Sequence, residues 1–230
     1  MTNDNASMTR DQTLLCIIPL AYLVGSIPFG LIVGKAKGID PRTAGSGNIG
    51  ATNLGRLLGG KYFALVFGLD LLKGALPTLS AGAVIGFRVD DRQTCLLWSA
   101  AAAAALLGHA YSIFLKFKGG KGVATSAGVM LGIFPYYTLA LVPALLVFLI
   151  ALAAMRYVSV ASILGALTFP AAYVAVGRLR LWPITGAQLP LLCFAIALPA
   201  LIIYKHRANI ARLRAGTEPR FVSKSSCESK

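Results

Sequence analysis

Three short polar stretches carry most of the residues in this 230-residue chain whose side chains could do chemistry. They run from Gly45 to Arg56, from Lys116 to Thr125 and from Lys205 to Arg214, and none of them contains Asp or Glu. Basic, hydroxyl and amide side chains suit the binding of phosphate, whereas hydrolysis by paired acids or by an acid-bound divalent metal needs carboxylates. We therefore expect a phosphate-binding site with almost no carboxylates, no metal and no cofactor.

The first stretch contains a formal G-x-G-x-x-G spacing at Gly45, Gly47 and Gly50. A dinucleotide site would need a strand before these glycines and a helix after them, and no strand pattern precedes them, so we reject that interpretation. Small residues still let backbone amides approach an anion, and a helix beginning near Asn48 would point its positive end at it. The candidates here are Ser46, Gly47, Asn48, Thr52, Asn53 and Arg56.

The second stretch places Lys121 between glycines at the start of an apolar run. A nucleotide-binding loop needs Ser or Thr directly after its lysine, and a glycine stands there, which argues against an NTPase. Lys121 remains a phosphate-binding candidate, with backbone amides near Gly119 and Gly120. Lys116 and Lys118 are explained equally well as topology anchors on the membrane surface.

In the third stretch, His206, Asn209 and Leu213 would share one face of a helix. A basic amphipathic helix on the membrane surface explains the neighbouring arginines but not why His and Asn lie together on that face. Ser159 lies in a minimal turn between two apolar runs and is a weaker candidate by itself.

The composition predicts the class of fold that positions these residues. The chain is 57% hydrophobic and 13% charged, whereas a soluble domain is about 45 to 50% apolar and about 25% charged. Its net charge of +14 comes from basic residues in short gaps between long apolar runs, which is typical of a multi-pass membrane protein and argues against nucleic-acid binding. We predict an all-α fold.

Seven apolar runs are long enough to be considered as membrane spans. They cover residues 13–34, 61–86, 93–115, 120–134, 136–155, 158–177 and 188–205, of which 120–134 is short and could instead be re-entrant. With seven crossings, sixteen basic residues fall on one side and five on the other, so the positive-inside rule puts the N-terminus outside and the C-terminus in the cytoplasm. We expect one membrane-embedded domain over 1–220 and a disordered polar tail over 221–230.

Asp70 and Lys73 lie three residues apart inside the second span. An ionisable pair within the membrane indicates a functional site. The alternative is that the two charges pair with each other to lower the cost of insertion, with Lys73 also extending toward the membrane surface. The sequence favours neither.

The three stretches, with Gly216-Thr217-Glu218, resemble the signatures of the PlsY family, the bacterial acyl-phosphate:glycerol-3-phosphate acyltransferases. The resemblance runs from the first span to about Glu218. It implies a seven-span inner-membrane protein with a cytoplasmic active site. Such an enzyme transfers a fatty acyl group from acyl phosphate, not from acyl-CoA or acyl carrier protein, to the 1-hydroxyl of glycerol 3-phosphate, giving lysophosphatidic acid and phosphate.

The resemblance also implies roles for the candidate residues. Those matching Ser46, Arg56, Lys121, Ser159, His206 and Asn209 line the family's site. We expect catalytic roles for Lys121, His206, Asn209 and Ser46, and substrate binding by Arg56, Ser159, Gly47, Asn48, Thr52, Asn53, Gly119 and Gly120. The expected partners are acyl phosphate, glycerol 3-phosphate, membrane lipids and the soluble enzyme that forms acyl phosphate, but no nucleic acid.

The expected chemistry is simple, because an acyl phosphate is already activated and the enzyme need mostly orient the reactants and stabilise charge. The His-x4-Asp pair common in other acyltransferases is absent, since Phe114 and Ala211 stand five residues after the two histidines. We therefore expect a phosphate oxygen of a substrate to take the proton.

A transporter for a phosphorylated or anionic small molecule is the alternative from another class, because anion carriers also use short helices whose N-termini face a polar site. It predicts related halves and polar residues at mid-membrane. We find no internal repeat, and the polar donors cluster toward one face.

Overall fold

The computed structural model describes residues 8–221, and every regular element in that range is helical. The α-helices are α1 (Arg10–Ser26), α2 (Phe29–Ala36), α3 (Ala51–Leu58), α4 (Gly60–Val84), α5 (Arg92–Ala110), α6 (Val123–Gly132), α7 (Tyr136–Met155), α8 (Val158–Leu179), α9 (Leu189–Lys205) and α10 (Arg207–Arg214), with a 3-10 turn at Ile113–Leu115. Apart from Phe221, the predicted tail lies outside the described residues.

Five stretches are long and apolar enough to cross a membrane: Arg10–Ala36, Gly60–Val84, Arg92–Leu115, Tyr136–Met155 and Val158–Leu179. The bent pair of α9 and α10, which meet at 55°, makes a sixth. The remaining segment contains the ten-residue α6, about 15 Å long, which is half of a hydrocarbon core of about 30 Å. The all-helical, multi-pass prediction is confirmed, with a fourth segment that is shorter than the others.

The segment around α6 nevertheless runs from one end of the bundle to the other. Phe134, after α6, packs edge-on against Phe87, after α4, with ring centroids 6.3 Å apart. Lys121, before α6, lines a cavity together with His206 at the opposite end. The loop before α6 is therefore set into the bundle, and this recess shortens the helix.

The two sets of connecting segments lie at opposite ends of the bundle. At one end Arg10 bonds to Thr94 at 2.8 Å, and Arg92 bonds to the Gly186 carbonyl oxygen at 3.0 Å. At the other end Lys205 bonds to the Ala110 carbonyl oxygen at 2.7 Å. Seven crossings require successive connecting segments to lie at alternate ends of the bundle, as they do here.

The first span, expected to be continuous, is broken between α1 and α2 at Pro28, which lacks the amide proton that a continuing helix needs. The carbonyl groups at the break accept hydrogen bonds from side chains elsewhere in the bundle. The Lys73 ammonium group donates to the Ile27 oxygen at 2.8 Å, and the Ser112 hydroxyl donates to the Ser26 oxygen at 2.6 Å. The break thereby links α1 to α4 and to the loop after α5.

Helices α1 and α5 pack in backbone contact through two glycines. A Cβ atom at Gly25 would overlap the Ala105 carbonyl oxygen, and one at Gly108 would overlap the Tyr22 carbonyl oxygen. Small residues allow such close approach between helices in membranes, where dispersion contacts replace the hydrophobic effect. The contact holds the C-terminal end of α5 beside the cavity.

Buried aromatic side chains close the end of the bundle farther from the cavity. Trp98 donates to the Thr78 carbonyl oxygen at 2.9 Å, and Tyr173 donates to Gln188 at 2.8 Å. Tyr137 donates to the Leu191 carbonyl oxygen and packs edge-on against Phe169. Each polar tip has a partner, as aromatic side chains need when they are buried.

Candidate active site

A cavity of about 410 Å³ opens among α3, α4, α6, α7, α8 and the corner between α9 and α10. The three polar stretches, far apart in the chain, meet at its wall. The lining includes nine of the predicted residues, which are Ser46, Asn48, Thr52, Asn53, Arg56, Lys121, Ser159, His206 and Asn209. Gly47, Gly119 and Gly120 are not part of the lining and lie within two residues of it in the chain.

The helix expected to begin near Asn48 begins at Ala51, with Gly50 as its N-cap residue. The Asn48 side-chain oxygen accepts a hydrogen bond from the Gly50 amide at 2.8 Å, which makes a turn before the helix. Gly45 and Gly47 have φ angles of 61° and 69°, in the left-handed region that favours glycine. The glycines at these two positions are thus explained by backbone conformation.

Asn53 is committed to this loop. Its amide nitrogen lies within hydrogen-bond distance of the carbonyl oxygens of Pro41 at 3.1 Å, Ala44 at 3.1 Å and Asn48 at 2.8 Å. Its oxygen accepts from the Ser46 amide at 2.9 Å. The side chain is 2% exposed, so its evident task is to shape the loop that presents Ser46.

The loop before α6 packs directly on the end of α5. The Gly120 amide donates to the His109 carbonyl oxygen at 3.1 Å, and a Cβ atom at Gly119 would overlap that same oxygen. Gly122 caps α6 with a φ angle of 85°. These glycines are required by close packing, which spacing alone does not reveal.

Lys121 projects into the cavity from this loop and is half-buried. Burial lowers the pKa of its ammonium group to about 8; the Glu218 carboxylate opposes the shift, while Arg212 and Arg56 add to it. Arg56, exposed at the rim, donates to the Pro219 carbonyl oxygen at 3.2 Å. The cavity therefore has cations whose charge is only partly neutralised.

His206 occupies the corner between α9 and α10 and is 2% exposed. Its Nδ1 atom lies 2.7 Å from the Ile202 carbonyl oxygen, which can only accept, so Nδ1 carries the proton and Nε2 keeps a lone pair. Burial lowers the pKa of the imidazole to about 4. His206 is therefore neutral at pH 7.

Glu218 holds the third stretch to α8. One carboxylate oxygen accepts from the Ser159 hydroxyl at 2.8 Å and the Asn209 amide at 2.6 Å, and the other accepts from Arg212 at 2.8 Å. Burial would raise the pKa of Glu218, but these hydrogen bonds outweigh it and hold the pKa below its usual value.

The expectation of a site almost without carboxylates is wrong, because Glu218 and Asp70 both line the cavity. Gly216, with a φ angle of 69°, turns the chain back toward α10, and helical spacing could not predict that turn. The only signal for Glu218 was its place in the Gly216-Thr217-Glu218 stretch that accompanied the resemblance.

Asp70 and Lys73 pair with each other inside the bundle, as the second of the two interpretations predicted. Lys73 lies 2.9 Å from Asp70, and both side chains are 3% exposed, so Lys73 does not reach the membrane surface. Asp70 and His109 also lie on the cavity wall, 3.7 Å apart between Oδ1 and Nδ1. Sequence reasoning missed His109 because it tested that residue only for an acid five positions later.

An apolar cavity of about 110 Å³ continues from the polar one. The two share Phe67, Val123, Leu145, Phe148 and Ser162. Small side chains, including Ala127 on α6, line the apolar part. A molecule with a charged head and a hydrocarbon chain would find the two environments side by side.

The comparisons with known proteins agree with this geometry. The sequence profile of the family described as glycerol-3-phosphate acyltransferase matches residues 15–216. The chain belongs to this family. Among its members, the glycerol-3-phosphate acyltransferase of Geotalea daltonii is 45% identical over 86% of this chain and 92% of its own, and that of Aquifex aeolicus is 44% identical over 90% and 98%.

Solved structures from the family share the fold. The glycerol 3-phosphate form of PlsY, an integral membrane glycerol 3-phosphate acyltransferase, is 42% identical and superposes with a TM-score of 0.79. Its lysophosphatidic acid form is 41% identical with a TM-score of 0.77. Both comparisons cover 91% of this chain and 96% of the other. The resemblance seen in the three stretches is confirmed.

Asn53→Ala should loosen the loop before α3, because several backbone groups lose their partner at a cost of about 1 to 3 kcal/mol. Limited trypsin digestion in detergent, followed at Arg42 in this loop, should be at least about tenfold faster than in the wild type. Asn48→Ala removes a single reported bond and is the matched control. Equal cleavage rates in the two variants would contradict the role assigned to Asn53.

Proposed function

We propose that the protein transfers a fatty acyl group from acyl phosphate to the 1-hydroxyl of glycerol 3-phosphate, releasing phosphate and lysophosphatidic acid. The observation that carries this proposal is the joining of a cation-lined polar cavity to an apolar one in a member of this family. The donor is amphipathic and needs both parts, whereas the acceptor needs only the polar one.

The phosphate groups bind to Lys121 and Arg56. The backbone amides expected near Gly47 and Gly119 do not join them, because those of Ser46, Gly47 and Gly120 already donate to Asn53, Ala44 and His109. Both cationic side chains line the cavity, and the partial burial of Lys121 strengthens its attraction for an anion by lowering the local dielectric constant. Arg56 can in addition hold a phosphate through two parallel hydrogen bonds. Ser46 and Thr52 line the same wall and supply hydroxyl donors.

Glu218 determines how the facing side chains can bind a hydroxyl group. Ser159 has one hydroxyl proton and donates it to Glu218, so toward a substrate it can only accept. Asn209 donates its amide to Glu218, and its buried Oδ1 atom has no partner among the residues that the structure describes. With Nε2 of His206, these atoms form a set of acceptors that suits the two hydroxyl groups of glycerol 3-phosphate.

In the reaction, the 1-hydroxyl oxygen attacks the acyl carbon, and the bond from that carbon to the phosphate oxygen breaks. His206 and Asn209 orient the hydroxyl, and Lys121 stabilises the charge on the leaving phosphate. A pKa of about 4 makes His206 a weak base. The proton therefore passes to a phosphate oxygen of a substrate.

The active site faces the cytoplasm of a bacterial inner membrane, with the N-terminus in the periplasm. Support comes from the basic residues of the described range, of which fourteen lie at the end of the bundle that contains the cavity and five at the other end. In this orientation the soluble enzyme that forms acyl phosphate can deliver its product to the cavity.

The test uses purified protein in detergent with palmitoyl phosphate and glycerol 3-phosphate. Phosphate release that requires both substrates, together with formation of lysophosphatidic acid, supports the proposal. An absence of release with both present would overturn it and favour the transporter.

Lys121 should make the binding of the phosphate substrates pH-dependent. With a pKa of about 8 the ammonium group is mostly charged at pH 7, so the KM should rise about twofold from pH 7 to 8 and then approach a tenfold rise per pH unit. The second ionisation of a phosphate, near pH 6, lies outside this window. Initial rates from pH 7 to 9.5 measure the effect.

The control is Lys121→Arg, whose guanidinium group stays charged throughout this range and whose KM should not follow the same rise. Lys121→Ala should abolish formation of lysophosphatidic acid. An identical pH profile in the arginine variant, or full turnover in the alanine variant, would remove Lys121 from the phosphate site.

The apolar cavity should set the preference for long acyl chains. Ala127→Phe would fill part of it and should reduce the preference for palmitoyl over octanoyl phosphate, in kcat/KM, about tenfold, because about two CH2 groups at about 0.8 kcal/mol each would lose their burial. Ala64→Phe, at an exposed position of α4 away from the cavity, is the matched control. An unchanged ratio in Ala127→Phe would place the chain elsewhere.

A further inference from the structure

The buried cluster of Asp70, Lys73 and His109 has no part in the mechanism above. Asp70 lies between the other two, 2.9 Å from the Lys73 ammonium group and 3.7 Å from Nδ1 of His109, and each side chain is less than 5% exposed. Nδ1 of His109 has no hydrogen-bond partner within residues 8–221. Charged and polar groups are costly inside a membrane, so such a cluster indicates a function.

The position of His109 explains the identity of the residue before Lys121. A Cβ atom at Gly120 would overlap Nε2 of His109 and would lie 2.9 Å from Cε1 and 3.3 Å from Cδ2. These three nearest atoms all belong to the imidazole ring. The Gly120 amide also donates to the His109 carbonyl oxygen at 3.1 Å, so the backbone at Gly120 is seated against both the ring and the main chain of His109.

The elements on either side are closely packed. His109 belongs to the last turn of α5, which Gly25 and Gly108 hold in backbone contact with α1. Asp70 faces the ring from α4, and Lys73 ties Asp70 to the Ile27 carbonyl oxygen at the break after α1. A shift of the ring would therefore pass to Gly120 and to Lys121 next to it.

We propose that His109 is a positioning residue, whose ring seats the backbone of Gly120 and thereby sets where the Lys121 ammonium group lies in the cavity. It acts through Lys121 and does not touch the substrate. The inference rests on the proposed function, since acyl transfer is its main readout. A displacement of about 1 Å can cost about 100-fold in rate, which sets the expected size of the effect.

The test is a double-mutant cycle between positions 109 and 120 in the full chain. Gly120→Ala and His109→Ala should each lower kcat/KM about 100-fold, mainly through a higher KM. In the combined variant, the space left by the ring accommodates the new methyl group. We expect its kcat/KM to be no lower than that of the less active single variant. Two independent losses would instead multiply to a loss of about 10,000-fold.

Gly119→Ala is the matched control. Its methyl group would meet the His109 carbonyl oxygen and the backbone carbonyl group of Ala110, all of which His109→Ala leaves in place. The losses of Gly119→Ala and His109→Ala should therefore multiply. If the losses of Gly120→Ala and His109→Ala multiply in the same way, the ring does not seat Gly120 and the inference is overturned.

His109→Val provides a second cycle if His109→Ala does not fold, because valine keeps more of the buried volume and lacks Nε2, Cε1 and Cδ2. Unfolding temperatures in detergent identify a purely structural effect, which would lower stability without raising the KM. Calorimetric binding of inorganic phosphate to the same variants tests the positioning of Lys121 without catalysis. A wild-type protein that binds phosphate but makes no lysophosphatidic acid would refute the proposed function, and the cycle would then be read from the Kd for inorganic phosphate in the same variants.

Discussion

Glu218 is the group on which the polar half of the cavity depends. Its carboxylate joins Ser159 on α8 to Asn209 and Arg212 on α10, so the C-terminal part of the chain is held against the bundle by hydrogen bonds to one side chain. Hydrogen bonds to a charged group are about twice as strong as those between neutral groups. After these bonds are made, Ser159 and Asn209 each keep an oxygen atom that can accept a hydrogen bond. These acceptors define what the cavity can bind.

Deeper in the bundle, buried charges of opposite sign also pair with each other. Asp70 and Lys73 neutralise each other at 2.9 Å, and Lys73 also donates to the Ile27 carbonyl oxygen at the break between α1 and α2. Removing one partner of such a buried pair leaves an uncompensated charge at a cost of about 3 to 5 kcal/mol. The pair thus permits a broken helix and a recessed loop inside an apolar environment, and both features bring polar groups to the cavity.

The short α6 explains how a water-soluble acceptor and a lipid-like donor can meet. Because the loop at Gly119 to Gly122 lies within the bundle, Lys121 is presented beside apolar residues that continue toward the membrane interior. A phosphate bound there has hydrocarbon-lined space next to it. The water-soluble acceptor and the activated donor proposed above could then be oriented with little movement of the protein.

The sequence by itself determined the helical membrane fold, the approximate spans and the three stretches that form the site, because apolar length, basic gaps and glycine spacing are local properties of the chain. It also predicted nine residues of the cavity wall. Only the tertiary structure decided that Asn53 shapes a loop, that Glu218 belongs to the site, and that Gly120 is seated on His109. These contacts join residues whose proximity follows from the packing of helices and the turns between them, and no periodicity in the sequence encodes which side chains then meet.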